Sequence, residues 1–120
     1  MMMIKNSKGE VICENAKTAD NVLSRLLGLM FTKDLAPQEG LLIRPCNSIH
    51  TFFMNYSLDI VFLDKNFYVV KVIYDMHPWR LSWMYFKAHQ VLEMKAKKLK
   101  SNIEAEGNFF NLYKFIEKYK

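Results

Sequence analysis

Two groups with acid–base capacity interrupt a long apolar run. His50 and Asp59 both lie within CNSIHTFFMNYSLDIVFLD, which extends from Cys46 to Asp64. Such groups are costly to bury unless they are hydrogen-bonded, so their placement asks for partners or for a task. Cys46 and His50 offer a nucleophile and a base. Four residues of straight strand span roughly 13 Å, however, and a working pair needs hydrogen-bond reach, roughly 3 Å. The pair forms only if Arg44-Pro45-Cys46 bends sharply back, so the spacing favours an inert thiol. If Met54 faces Leu58 across a tight hairpin, His50 and Asp59 fall on opposite faces of a sheet, and a bulge in the turn would change this. Each is then expected to be buried, with its own partner and a structural role. An Arg fork from Arg25 or Arg80 matches the carboxylate of Asp59 or Glu93. The functional counterpart is a pocket in which Arg80 meets an anionic ligand and Trp79 forms an apolar wall. A cleft around His50, Asp59, Arg80 and Glu93 would be its enzymatic form.

The elements that must position these residues read mainly as strands. Lys8-Gly9 separates two short apolar segments, an opening hairpin. Val22, Leu23, Leu26, Leu27 and Met30 recur at spacings of three and four, which predicts a short helix near residues 18–30 with Thr18 or Asp20 as N-cap. Leu41 to Ile43 is a brief strand that Pro45 ends. Ser48 to Met54, Leu58 to Leu63 and Phe67 to Tyr74 predict three strands of an antiparallel meander. The middle one is apolar on both faces and therefore covered on both sides. His77-Pro78-Trp79-Arg80 reads as a loop, Ala88 to Met94 as a strand, residues 95–105 as a possible second helix, and Phe109 to Ile116 as a last strand. The fold class expected is mainly β: one compact antiparallel sandwich or barrel-like, jelly-roll-like domain over residues 1–120.

The composition excludes several alternatives. A chain of 120 residues buries roughly two-thirds of its unfolded surface, enough for a core without staples. A hydrophobic fraction of 51% argues against disorder. No apolar run reaches the ~18 residues of a membrane span. The start, MMMIKNSKGE, lacks an apolar signal region, which predicts a cytoplasmic location. Cys13 and Cys46 read as reduced thiols, and no ligand spacing predicts a metal or another cofactor. The net charge of +5 is weighted towards Lys95, Lys97, Lys98, Lys100, Lys114, Lys118 and Lys120. These read as a solvated face rather than a specific nucleic-acid footprint. Most of the aromatic residues are expected in the core, with Trp79 and Trp83 as the exposed exceptions.

Four segments then resemble a known family. Arg25 to Phe31 is similar to R-x-x-G-L-M-F, and Gly40 to Ile43 to a glycine-led hydrophobic run. Ser48 to Met54 with Leu58 to Asp64 resembles S-I-H-T-F-x-M…I-D-V-x-F-L-D. Pro78-Trp79-Arg80 and Ala88…Val91-Leu92-Glu93 resemble P-x-R and A-x-x-V-L-E. The family is the uncharacterised domain of unknown function 192, matched over about residues 16–108. Asn55 and Ser57 replace its usual basic residue and proline, and Lys97 and Asn108 its usual glycine and aspartate. The resemblance implies a compact β-rich sandwich with a short helix packed on it, and no established activity, cofactor or partner.

The nucleophile, metal and phosphate-loop signatures are missing from the sequence. The first expectation is accordingly a binding or interaction module for a small ligand or a protein partner. An enzyme built on His50 and nearby carboxylates comes second, and a nucleic-acid binder using the late lysines third.

Overall fold

The computed structural model describes residues 2–6, 10–21, 29, 33–96 and 112–116. It contains β1 (Met2–Asn6), β2 (Val11–Ala19), β3 (Glu39–Ile43), β4 (Leu58–Leu63), β5 (Val69–Met76), β6 (Gln90–Lys95) and β7 (Leu112–Ile116). They form one sheet in the order β5-β4-β6-β3-β2-β1-β7. The mainly β expectation holds, but the sheet is mixed, since β2 and β3 run parallel while the other pairs are antiparallel. Its edge strands β5 and β7 do not pair with each other, so it is not closed into a barrel.

β4 carries the architecture. All six of its residues are buried, and its apolar side chains divide by the two-residue period of a strand. Val61 and Leu63 join Ile4, Ile12, Leu42, Leu92 and Met94 on one face. Leu58, Ile60 and Phe62 join Ile49, Met54, Met76 and Val91 on the other. Burial on both faces is what the continuous apolar run predicted. Each of these β4 side chains contributes about 1.5–3 kcal/mol, which together offsets the cost of the one carboxylate, Asp59, carried inside the strand.

Several expectations are corrected. Thr18 does not cap a helix, because β2 continues through Ala19. Its backbone there is held in a parallel ladder, Lys17 opposite Leu41 and Ala19 opposite Ile43. The described residues contain no helix; the remainder of the 18–30 prediction, at 22–28 and 30, and that at 97–105 lie outside them. Ser48 to Met54 is not a strand. It makes a single bridge, His50 to Leu81, and turns at Phe53, whose φ is 62°. The meander is therefore not formed, and β4 takes β6 as its second neighbour. The opening hairpin and the β4–β5 hairpin are present.

Gly40 sets the closeness of β3 to the core. A Cβ there would lie 2.7 Å from Cys13 Sγ and 3.3 Å from the Glu93 carbonyl oxygen, and the latter, as backbone, cannot swing aside. Gly40→Ala is expected to destabilise by about 1–3 kcal/mol, read by urea unfolding. Adding Cys13→Ala should recover part of the loss. An unchanged midpoint for Gly40→Ala would show that the packing at this point is loose.

Candidate functional site

Of the polar residues singled out in the sequence, His50 lies on the segment beside Arg80, whereas the two buried carboxyls are kept apart. Asp59 pairs with Met94, and Glu93 with Ile60, across the β4–β6 ladder. Paired residues share a face, so Asp59 lies with Met94 and Val61 while Glu93 lies with Ile60 on the opposite one. The two carboxyls cannot form an acid–base pair. Arg25 lies outside the described residues. Arg80 is exposed and, among the described residues, forms no ion pair with either carboxylate.

Each carboxyl has its own environment. Asp59 is fully buried, and its Oδ1 accepts the Asp75 N–H at 2.8 Å. Asp75 sits at a register shift between β4 and β5 with φ 52°. The carboxylate thus caps a β-bulge. Burial first, and then the Asp59 charge, push the Tyr74 phenol up. Glu93 is 3% exposed, and desolvation pushes its carboxyl up to about 8, so it carries its proton at neutral pH.

His50 is partly buried. Its Nδ1 accepts the Phe52 N–H at 3.2 Å, and its ring stacks on Phe52 at 5.0 Å. The Cys46 thiol donates to the Ser48 carbonyl at 3.0 Å. The described residues contain no group of three or more His, Cys, Asp or Glu side chains able to hold a metal.

What the fold does assemble is an aromatic ledge. Residues 47–51 run against residues 79–85, joined by the Ser82 N–H to Ile49 O and Tyr85 N–H to Asn47 O bonds, both 2.9 Å. Thr51, fully buried, is the hub. Its Oγ1 donates to the His77 carbonyl at 2.7 Å and accepts the Arg80 N–H at 2.9 Å. Its own N–H donates to the Arg80 carbonyl, and its carbonyl accepts the Trp79 N–H, each at 2.9 Å. Tyr85 roots the far end on Phe62, with ring centroids 4.6 Å apart.

This frame holds apolar side chains in solvent. Phe53, Trp79, Leu81, Trp83, Met84 and Phe86 are all exposed, Trp83 at 83% and Phe86 at 84%. Phe53 and Trp79 touch, with centroids 4.7 Å apart, and both have positive φ, 62° and 64°. A left-handed conformation costs an L-residue about 1–2 kcal/mol, and such strain concentrates at binding sites. The exposure of Trp79 and Trp83 was expected. That of Phe53 and Phe86 corrects their placement in the core. The signal available was Pro78 at the head of an apolar run that has no strand partner of full length.

Lys95 makes an exposed pair with Asp34 at 3.3 Å. The Leu35 N–H first, and then Lys95, hold the Asp34 carboxyl below the usual range. The side chains of Lys97, Lys98, Lys100, Lys114, Lys118 and Lys120 lie outside the described residues. Among the described residues no helix is long and apolar enough to cross a membrane.

Fold and ledge together define a mainly β protein with an exposed apolar surface held by a hydrogen-bonded frame. Residues 3–108 match the model of the domain of unknown function 192, described as an uncharacterised ACR, and the chain belongs to this family. A UPF0127 protein of Pyrococcus horikoshii is 37% identical over 111 residues, covering 88% of this chain and 92% of its own length. Two solved structures share the fold at 17% identity. A protein of unknown function from Novosphingobium aromaticivorans aligns with TM-score 0.77 over 93% of this chain and 82% of its own. A candidate transcription regulator from Sinorhizobium meliloti 1021 aligns with TM-score 0.76 over 94% and 92%.

Proposed function

We propose that this chain is a binding module that docks a protein partner on the 77–86 ledge, without catalysing a reaction. The observation that carries this reading is the run of exposed Trp79, Leu81, Trp83, Met84 and Phe86 on a segment pinned by backbone hydrogen bonds. Trp, Met and Arg are the residues enriched where protein interfaces concentrate their binding energy. Arg80 stands within this segment and Lys87 directly follows it. A second copy of the chain would bring these like charges together, so a partner with an acidic rim fits better. A lipid surface fits less well, because the ledge lacks the polybasic cluster that holds a protein to anionic headgroups. The two cysteines, which form no disulfide, suit a reducing compartment and a cytoplasmic location. The separation of Asp59 from Glu93 by the sheet weighs against the enzymatic alternative.

A photocrosslinking residue at Trp83, introduced in cells, tests this. The expected result is one discrete protein adduct, identified by mass spectrometry and remade from purified components, with none from a crosslinker at Lys71 on β5. Trp79→Ala is expected to weaken the remade complex by about 2 kcal/mol, ~30-fold. Leu81→Ala and Trp83→Ala should leave folding stability within about 0.5 kcal/mol of the parent. Adducts only to lipid or to the chain itself would overturn the proposal, as would none at all.

A further inference from the structure

His89 borders three hollows at one end of the sheet, of about 430, 220 and 420 Å³. They open where β3 and β4 end and β6 begins, so Arg44, Lys65 and His89 come from three separate exits. Backbone bonds hold these exits together. The His89 N–H donates to Leu63 O at 2.7 Å, the Cys46 N–H to His89 O at 2.9 Å, and the Arg44 N–H to Ala19 O at 3.0 Å.

The charge of this region is positive. Arg44, Lys65 and Lys87 line the hollows, and among the described residues the only salt bridge, Lys95 to Asp34, lies elsewhere. Asp64 is committed to its own turn, where Oδ1 accepts the N–H groups of Asn66 at 2.8 Å and Tyr68 at 3.0 Å. Asp20 is the opposing charge in the largest hollow.

A second observation comes from Gln90, which is 2% exposed and lines that same hollow. Its Nε2 donates to the Asp64 carbonyl at 2.9 Å. That bond fixes the amide orientation, because a flip would set oxygen against oxygen. The Oε1 atom is buried and accepts no hydrogen bond among the described residues. Buried acceptors are rarely left in this state.

We propose that this end of the sheet binds a phosphate monoester of a hydroxylated small molecule, with the phosphate on Arg44, Lys65 and Lys87 and a hydroxyl donating to Gln90 Oε1. The planar Arg fork suits phosphate oxygens, and the lysines add point charge. The volume of the largest hollow is within the range of small-molecule sites. Oε1 is screened from water, so this contact requires the wall of the cleft to part on binding. Phe86 flanks the third hollow and is exposed, so a nucleobase attached to the sugar would find a stacking surface there. A sugar phosphate and a nucleoside monophosphate therefore share the required chemistry. Arg44 and Lys65 lie off the ledge, which this site meets at Phe86 and Lys87.

Calorimetric titration of the full chain at physiological salt tests the proposal, with ribose 5-phosphate, AMP, ribose and inorganic phosphate as probes. At least one of the two monoesters is expected to bind and ribose not to, with inorganic phosphate weaker by ~10-fold or more. Arg44→Ala and Lys65→Ala, each checked for folding by circular dichroism, should each weaken monoester binding by about 10-fold. Asp20→Asn should tighten it. Tighter binding of AMP that Phe86→Ala abolishes assigns a nucleotide, and equal binding of the two monoesters assigns the sugar phosphate. The proposal is overturned if neither monoester binds, if both charge variants bind like the parent, or if inorganic phosphate binds as tightly as the esters.

Discussion

Replacing Glu93 by glutamine is expected to stabilise the protein at alkaline pH and to leave it nearly unchanged in acid. The folded carboxyl keeps its proton up to about 8, because burial between Leu41 and Ile60 disfavours the charged form. In the unfolded chain the ordinary value of 4.5 applies. A raised carboxyl pKa means that the folded state binds more protons than the unfolded one across this window. Its contribution to stability is complete below the unfolded value and is lost as pH rises through the folded value. The loss approaches about 1.4 kcal/mol per pH unit between the two. Glutamine resembles the protonated acid in shape and cannot ionise. The difference between Glu93→Gln and the parent should therefore grow from near zero at acid pH to a few kcal/mol above pH ~8. Urea unfolding across this range, followed by circular dichroism, measures it. A difference that stays constant with pH would mean that the folded carboxyl is ionised like any exposed one.

Asp59→Ala is expected to cost about 2–3 kcal/mol, because it strips the Asp75 N–H of its acceptor and leaves a void in a fully buried strand. Asp59→Asn keeps an oxygen in place and should cost less. Hydrogen exchange at the Asp75 amide should rise sharply in the alanine variant, since the bulge loses the group that caps it. The same measurement separates structure from function. A residue kept for a reaction would leave stability and exchange nearly unchanged when removed. Parent-like unfolding of Asp59→Ala would reopen a functional role for this carboxylate.

The elements that could be read from the sequence are those whose pattern is local. The apolar run of Leu58 to Leu63 announced a strand covered on both faces, because burial on both sides removes the alternation of polar and apolar residues. Pro45 announced the end of β3, because proline lacks the N–H that a ladder needs. The motifs around Ser48 to Met54 and Leu58 to Asp64 carried the family. Ser48 to Met54 nevertheless misled as a strand. Its residues suit one, but Thr51 spends its hydrogen bonds on residues 77–80 instead of on a neighbouring ladder.

By itself, the sequence determined that this protein is mainly β, that β4 is buried on both faces, and that Asp59 sits inside an apolar strand. These follow from side-chain type and two-residue period, which need no knowledge of partners. Only the tertiary structure decided which polar residues meet. Neighbouring pairs on the β4–β6 ladder point to opposite faces, so Asp59 and Glu93 are separated by the sheet itself. It likewise decided that Trp79, Leu81 and Trp83 face solvent and that Arg44, Lys65 and His89 share one end of the sheet. Those positions depend on the parallel β2–β3 pairing, the β4–β6 crossover and the Thr51 hub. All three are contacts between residues distant in the chain, and no local pattern encodes them.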